Sequence, residues 1–209
     1  MEKNTVEHFQ KLKIAIKYWL LGRRYYKAEE AMEFGLKFHT GTRKDKITPE
    51  FYHQITTAHY ARVFEGILTY PQETFSAIFL HDIMEDKDIS YEEIKEKFGA
   101  LVAEAVLHLS RKFRGEKLEI QEYYNNIKND PIASVAKGID RINNMQTMVG
   151  VFTLNGQKWY IEETENYIIP SIKHARKHFI EQERIYESLK LALISQVDLI
   201  KAIHKAGGV

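Results

Sequence analysis

The sequence lacks cysteine altogether, has only four prolines among its 209 residues and carries almost no net charge. The absence of cysteine excludes disulfides and thiolate metal ligands, and it fits a reducing compartment. A formal net charge of +1 provides no overall field that would attract nucleic acid or a membrane surface. No apolar run approaches the roughly 18 residues of a membrane-spanning helix, and the first residues do not open a signal peptide. The composition therefore indicates a cytoplasmic protein that partners neither nucleic acid nor membrane.

Helical periodicity runs through most of the chain. Apolar residues recur at three- and four-residue steps, and no segment shows the alternation of a half-buried strand. The chain has 209 residues, of which 44% are hydrophobic, and it is therefore long enough to bury one sizeable core. We predict an all-α fold with a long C-terminal helix, and loops at 40–49, 111–116 and 150–158, the last on the turn signal Asn155-Gly156. The predicted helices cover about 5–20, 27–39, 51–68, 72–85, 90–98, 101–108, 123–128, 132–148, 160–169 and 170–205.

A cluster of ionisable residues, His81-Asp82-Ile83-Met84-Glu85-Asp86, follows the largely apolar segment 75–80. Such groups are costly to bury unless they are paired or bind a metal. On a continuous helix Glu85 lies over His81 and Asp82, because residues three and four apart share a face, and Asp86 lies over Asp82. An imidazole beside carboxylates can hold a divalent cation and prepare its water. This segment alone leaves two interpretations open, a metal site and a solvated helix end.

A second polar string lies on the helix predicted over 132–148. Lys137, Asp140, Arg141 and Asn144 recur at three- and four-residue steps, and polar groups crowded against an apolar stripe favour a site over plain solvent exposure. The stripe consists of Val135, Ile139, Ile142 and Met145 (or Met148).

Basic residues also occur in two predicted loops. Arg43 and Lys44 can meet phosphate or the face of a base, although a solvated loop explains them better when they are taken alone. Arg111, Lys112 and Arg114 are expected to be ordinary surface.

The order of the candidate ligands is informative. His53, then His81-Asp82, then Asp140 each fall on a predicted helix, and this H…HD…D order resembles the HD-domain metal-dependent phosphohydrolases. Two nitrogens and two carboxylates suit a borderline divalent ion such as Mn, Fe, Co or Zn. Members with two metals usually carry extra histidines before the last aspartate. This chain has only His108 there, so one metal ion is expected.

The resemblance narrows to the RelA/SpoT-like alarmone hydrolase domains. Residues 81–86 match their HDxxED motif at all four fixed positions, and 137–145 match KxxDRxxNM. Similarity covers about residues 28–172, which implies a single HD-type hydrolase domain over 1–209 with helical extensions at both ends, similar to a stand-alone small alarmone hydrolase. Weaker likenesses are 39–45 to their RK-containing loop, 49–53 to PYxxH, Phe98-Gly99 to an FG pair, and Glu163-Thr164 with Pro170 to ET…YAP.

The resemblance implies a metal centre and a catalytic pair. One divalent ion, expected to be Mn²⁺, would be bound by His53, His81, Asp82 and Asp140. Glu85 and Asp86 would position and activate the attacking water. The implied reaction is hydrolysis of the 3′-pyrophosphate of ppGpp or pppGpp, which releases pyrophosphate and GDP or GTP.

The resemblance also implies substrate contacts. Arg43 would stack on the purine, Lys44 would face phosphate and Asn144 would contact the nucleotide. Of Lys137 and Arg141, one would neutralise phosphate, and Arg141 could equally hold a carboxylate behind the ligands.

The sequence departs from the family pattern at several positions. Glu50 replaces a tyrosine, Gln54 a proline, Gly138 a leucine and Asn143 a histidine, and the loop over 45–49 lacks the usual glycine. All but the Asn143 change are expected near the substrate loop or the ligand helices. The departures therefore bear on which nucleotide is bound more than on the chemistry.

Other functions stay open on this scaffold. One is an HD phosphohydrolase of another nucleotide, such as an adenine alarmone or a deoxynucleotide, and the other is a non-catalytic nucleotide-binding protein. The apolar stripe of the C-terminal helix is compatible with core packing or with a contact in a homo-oligomer. His59 is expected to be structural, and the pair His174 and His178 to lie on a solvated basic face.

Overall fold

A computed structural model of the chain describes residues 2–87, 89–113 and 115–207. It confirms the all-α class and the long C-terminal helix. The α-helices of these residues are α1 (Glu2–Gly22), α2 (Tyr26–Phe38), α3 (Tyr52–Arg62), α4 (Pro71–Leu80), α5 (Ile83–Asp86), α6 (Tyr91–Phe98), α7 (Ala100–Leu109), α8 (Ile120–Lys128), α9 (Pro131–Met148), α10 (Leu154–Glu163), α11 (Ile169–His178) and α12 (Glu183–Ala206). Shorter elements are the 3-10 turns Glu65–Ile67 and Ile180–Gln182 and the π-helical turn Thr164–Ile168.

The predicted loop over 111–116 contains a small antiparallel hairpin. Its strands are β1 (Lys112–Phe113) and β2 (Glu116–Lys117), and Lys112 lies opposite Lys117. Arg114, which was expected at the surface, lies outside the described residues.

Local sequence signals set several helix ends as predicted. The Ser90 hydroxyl accepts a hydrogen bond from the Glu93 N–H at 3.1 Å and caps α6, and Gly99 follows that helix with a φ of +95°. Pro131 begins α9, where the carboxylate of Asp130 accepts two free N–H groups. A good N-cap contributes about 1 kcal/mol to stability, so these ends are fixed by short-range contacts.

The turn predicted at Asn155-Gly156 is wrong. Both residues lie in the first turn of α10, because the Thr153 hydroxyl accepts the Gly156 N–H at 3.2 Å and starts the helix early. A side-chain cap satisfies an N–H that a helix end otherwise leaves free, and here it outweighs the turn preference of Asn-Gly.

The helix predicted over 72–85 is interrupted at His81-Asp82, between α4 and α5. Nδ1–H of His81 donates to the carbonyl of Ile78 at 2.8 Å. In a continuous α-helix that carbonyl would accept the Asp82 N–H. The side chain of His81 thus takes the place of a helical hydrogen bond at the point where the candidate ligands occur. Asp82 and Asp86 still share one turn, since the Asp86 N–H donates to the Asp82 carbonyl at 2.9 Å.

Helix α9 lies at the centre of the bundle and contacts α3, α4, α7, α8 and α12. Its predicted apolar stripe is confirmed, since every member, including both Met145 and Met148, is buried. The neighbouring face carries the polar string, from which Asp140 contacts His53 on α3 and Arg141 contacts Glu163 on α10.

The C-terminal helix α12 packs into the core. Its residues Ile185, Leu189, Val197 and Ile200 are buried, whereas Ile203 at the end of the stripe is 42% exposed. A Cβ at Gly138 would lie 2.8 Å from Cδ1 of Leu189, so the glycine lets α12 approach α9 closely. No helix in the described ranges is long and apolar enough to span a bilayer.

Candidate metal centre and substrate cavity

Three helical segments bring the four predicted ligands together. Nε2 of His53, on α3, lies 2.8 Å from Oδ1 of Asp140, on α9. Nε2 of His81 lies 3.0 Å from Oδ2 of Asp82 and 3.8 Å from Oδ1 of Asp140. His53, His81 and Asp82 each offer a ligand atom within 4.8 Å of the others. Ligands at about 2.1 Å from one cation are separated by about 3 Å or slightly more, so the spacing suits a shared ion.

The tautomer of His81 makes this cluster fit a cation. Since Nδ1–H donates to the Ile78 carbonyl, the lone pair of a neutral ring is on Nε2. That nitrogen is buried and has no hydrogen-bond partner among the described residues, although Asp82 is close. A buried lone pair beside carboxylates is unfavourable without a proton or a cation between them. The donor set therefore fits a borderline divalent metal ion.

The charges around Asp140 keep it ionised. Its Oδ1 accepts the amide N–H of Asn144 at 2.7 Å, and its Oδ2 accepts Nζ–H of Lys137 at 3.1 Å. Burial alone would raise the pKa of Asp140. Lys137 and the two site histidines outweigh burial and hold the pKa well below its ordinary value. The buried carboxylate is thus available as a ligand at neutral pH.

His81 and Asp82 perturb one another. Burial would lower the pKa of His81, but the charges of Asp82 and Asp140 prevail and raise it to about 9. Although desolvation would raise the pKa of Asp82, the charge of His81 lowers it to about 2. Without a metal ion the two side chains form an ion pair, and a metal ion must displace the His81 proton in order to bind.

The predicted catalytic pair lies on the short helix α5 and lines the same cavity as three of the candidate ligands, His53, Asp82 and Asp140. Glu85 is exposed, and its Oε2 accepts the Arg111 N–H at 3.0 Å. Asp86 is exposed as well, and desolvation at the cavity wall, with the charges of Asp82 and Glu85, raises its pKa. A carboxylate with a raised pKa is a stronger proton acceptor than an ordinary one.

A cavity of about 770 Å³ opens beside the ligands. This volume is within the usual range for small-molecule sites, about 300–1,000 Å³. The five predicted substrate residues all line it: Arg43, Lys44, Lys137, Arg141 and Asn144.

Two of these residues come from the loop between α2 and α3 and reach α9 and its neighbouring segment. Nη2 of Arg43 donates to Oδ1 of Asn144 at 3.4 Å. Nζ of Lys44 lies 4.1 Å from the ring centre of Phe152. The loop and the C-terminal half of α9 thus form one wall of the cavity.

Arg141 is not a free cation at the cavity wall. Its guanidinium is buried, donates to the carboxylate of Glu163 and packs 4.2 Å from the ring centre of Tyr160. Of the two roles left open for Arg141, this placement favours holding a carboxylate. The carboxylate belongs to Glu163 of the ET…YAP-like element.

Glu50, at a position where the family has tyrosine, holds the loop between α2 and α3 in place. Its carboxylate accepts Nδ1–H of His39 at 3.2 Å, the Gly41 N–H at 3.1 Å and Nζ–H of Lys87 at 3.0 Å. Asp45 accepts two further loop N–H groups at 2.9 Å. The loop that carries Arg43 and Lys44 is therefore tied to α5 and to itself.

The expectation that Asn143 lies apart from the ligand helices is wrong. Its Oδ1 accepts Nδ1–H of His53 at 2.7 Å. Gln54, another departure, donates from Nε2 to Oδ2 of Asp82 at 3.4 Å. Two of the substitutions relative to the family pattern thus lie directly behind presumed ligands.

Several cavity residues were not identified from the sequence. The aromatic side chains Phe152, Trp159 and Tyr160 line one side, and Trp159 is 46% exposed. Arg111 and Lys117 from the hairpin also line the cavity. These residues belong to none of the motifs, and a surface loop was the interpretation of the hairpin.

The four other histidines that the sequence analysis considered lie away from the candidate ligands. His59 contacts the Leu12 carbonyl at 2.9 Å, and His108 pairs with Asp130 at 2.9 Å beside the start of α9. The rings of His174 and His178 stack 4.0 Å apart on α11. In the described part of the chain, none of these four lines the cavity.

A helical bundle that brings candidate ligands in the order H…HD…D beside a cavity of about 770 Å³ is the arrangement expected of HD-domain phosphohydrolases. No protein-family model matches the chain. It is 31% identical over 147 residues to the guanosine-3′,5′-bis(diphosphate) 3′-pyrophosphohydrolase of Aquifex aeolicus (strain VF5). The matched segment makes up 68% of this chain. The chain spans only 20% of the length of the Aquifex enzyme. Over that segment the chain is similar to the RelA/SpoT-like HD hydrolases, the family that its motifs resemble.

Proposed function

We propose that this protein is a metal-dependent hydrolase of the 3′-pyrophosphate of ppGpp or pppGpp, working as a single HD-type domain. The observation that carries the proposal is the buried Nε2 of His81, which lies 3.0 Å from Asp82 and 3.8 Å from Asp140, with Glu85 and Asp86 on the adjoining cavity wall. The name of the Aquifex relative supports the choice of substrate.

Four residues would hold the ion, which we propose to be one Mn²⁺: His53, His81, Asp82 and Asp140. When bound, such an ion lowers the pKa of a water molecule and polarises a phosphoryl oxygen. Lys137 keeps Asp140 ionised, and the Ile78 carbonyl keeps the ring of His81 in the orientation that ligation needs.

Asp86 and Glu85 would position the attacking water and accept its proton. As the water oxygen bonds to the phosphorus attached to the 3′ oxygen, the P–O3′ bond breaks. The 3′ oxygen takes up a proton, which leaves GDP or GTP and pyrophosphate. The raised pKa of Asp86 suits a general base that later returns the proton.

The substrate would lie along the wall formed by the loop and α9. Arg43 would stack on the purine, Asn144 would contact the nucleotide and Lys44 would meet the charge of the pyrophosphate group. Arg43 and Asn144 already touch one another at this wall, so one ligand can reach both.

The test is pyrophosphate release from ppGpp with Mn²⁺, with and without a chelator, beside ppApp and GTP. Chelator-sensitive release from ppGpp is expected. Turnover of ppApp or of a deoxynucleotide alone would keep the site and change the substrate. Bound metal without any turnover would favour a nucleotide-binding protein.

The metal assignment has its own test in Asp82→Ala. This variant should lose turnover while its circular dichroism spectrum stays that of the wild type. Asp198→Ala, which removes an exposed carboxylate on α12, should retain full activity. Retained turnover in the Asp82 variant would refute the proposed ligand set.

A further inference from the structure

Asn143 contacts His53 from the side opposite the cluster. Its Oδ1 lies 2.7 Å from Nδ1 of the imidazole, and Nε2 of the same ring lies 2.8 Å from Oδ1 of Asp140. His53 is buried, so its two ring nitrogens meet protein groups rather than bulk water. An amide oxygen only accepts hydrogen bonds, so Nδ1 must be the donor in this contact.

The direction of the Asn143 amide is set by Thr56. Nδ2 of Asn143 donates to Oγ1 of Thr56 at 3.0 Å, and that hydroxyl donates in turn to the His53 carbonyl at 2.9 Å. Turning the amide over would place its NH₂ against Nδ1–H and its oxygen against a hydroxyl committed to a carbonyl. The contacts of Thr56 therefore keep Oδ1 directed at His53.

The position of the proton on His53 determines whether a proton or a cation can lie between its Nε2 and the carboxylate of Asp140. With the proton held on Nδ1, the Nε2 lone pair of a neutral ring faces a carboxylate oxygen. Two acceptors at 2.8 Å repel one another unless a proton or a cation lies between them. The family histidine at this position can donate or accept, whereas the oxygen of Asn143 can only accept.

We propose that Asn143 is a positioning residue: through the Asn143–Thr56 contact it fixes the Nδ1–H form of His53 and so sets the affinity of the centre for its metal ion. This inference rests on the metal-dependent function proposed above. Ligating histidines usually have such a partner on the second ring nitrogen, and its loss typically weakens metal binding 10- to 100-fold.

The first measurement concerns the proton and needs neither metal nor substrate. In metal-free protein labelled with ¹⁵N at histidine, the ring shifts of His53, assigned with a His53→Gln variant, report which nitrogen is protonated. Nδ1 should carry a proton in the wild type and in Asn143→Asp, which keeps an acceptor. In Asn143→Leu, where Nδ1–H has lost its acceptor, Nδ1 should be unprotonated and only Nε2, which faces Asp140, should carry a proton.

The second measurement is affinity for Mn²⁺ alone, by competition with a chelator. Asn143→Leu should bind about 10- to 100-fold more weakly than wild type, and Asn143→Asp at least as tightly. Thr56→Val should weaken binding in the same direction. Thr57→Val is the matched control, because the Thr57 hydroxyl also donates to the His53 carbonyl, at 2.8 Å, whereas the hydrogen bond from the Asn143 amide goes to Thr56.

The outcomes separate this inference from the proposed function. Unchanged Nδ1 protonation and unchanged affinity in Asn143→Leu, or equal losses in Thr56→Val and Thr57→Val, would overturn the positioning role. If Asn143→Leu fails to fold, the comparison of Mn²⁺ affinity between Thr56→Val and Thr57→Val decides whether Asn143 has the positioning role. If wild-type protein binds no Mn²⁺, the metal-dependent function fails, whereas the ¹⁵N shifts still decide the role of Asn143.

Discussion

At the scale of single residues, the site depends on buried charges that balance one another. The carboxylate of Asp140 accepts hydrogen bonds from Lys137 and Asn144, and the guanidinium of Arg141 is neutralised by Glu163. An unpaired buried charge costs several kcal/mol, roughly 3–5 when one partner is removed. The polar string of α9 is therefore a set of paired groups rather than a row of free ligands and cations.

The raised pKa of His81 predicts a pH dependence of the metal-free protein. The folded pKa is about 9, against an ordinary 6.5. A raised pKa means that the protonated ring stabilises the fold below pH 6.5 and that this contribution is lost as the pH rises through about 9. The melting temperature of chelator-treated protein should therefore fall between pH 6.5 and 9.5. His81→Gln should show a clearly smaller fall, and an equal fall would contradict the assignment.

At the scale of secondary-structure elements, the loop between α2 and α3 acts as one unit because Glu50 ties it to α5. Glu50→Ala removes hydrogen bonds to His39, Gly41 and Lys87. We expect faster tryptic cleavage at Arg43 and Lys44, and a rise in KM of about 5- to 10-fold with a smaller change in kcat, from roughly 1–1.5 kcal/mol of lost loop contacts.

The control for the loop prediction is Glu30→Ala, which removes an exposed carboxylate from α2. It should change neither cleavage nor KM. A fall in kcat at constant KM in Glu50→Ala would mean that Glu50 serves the chemistry instead of the loop.

Packing of α12 on α9 predicts a contrast between two leucines of one helix. Leu189 is fully buried against Gly138, whereas Leu191 is 57% exposed. Leu189→Ala should lower the free energy of unfolding by about 2–5 kcal/mol, and Leu191→Ala should stay within about 0.5 kcal/mol of the wild type. Denaturant titration measures both. Equal losses would mean that the outer face of α12 is also covered, as in a homo-oligomer.

At the scale of the whole molecule, the candidate centre joins α3, the α4–α5 break and α9. A ligand that binds only the folded state stabilises the entire chain. Mn²⁺ at 100 times its Kd should add about 2.7 kcal/mol, which raises the melting temperature by roughly 5–10 °C for a chain of this size. The measurement is thermal unfolding with metal and with chelator.

The control for metal stabilisation is Asp82→Ala, in which the shift should largely disappear. A shift of the same size in that variant would place the stabilising ion somewhere else on the molecule.

The sequence by itself determined that the fold is helical, which four residues are the candidate metal ligands, and which protein family the chain resembles. Helical periodicity depends on neighbours three and four residues apart, and caps such as Ser90 act within one turn. The HDxxED and KxxDRxxNM strings are contiguous, so they can be recognised without coordinates. Local interactions of this kind depend only on residues that are close together in the sequence.

Only the tertiary structure decided which partner each of these residues has. The contact of Asn143 with His53 and the pairing of Arg141 with Glu163 both follow from which side chains meet after folding. His53 and Asn143 are 90 residues apart in the chain. Hydrogen bonds across such separations depend on how α3, α4 and α9 pack, and no local pattern encodes that geometry.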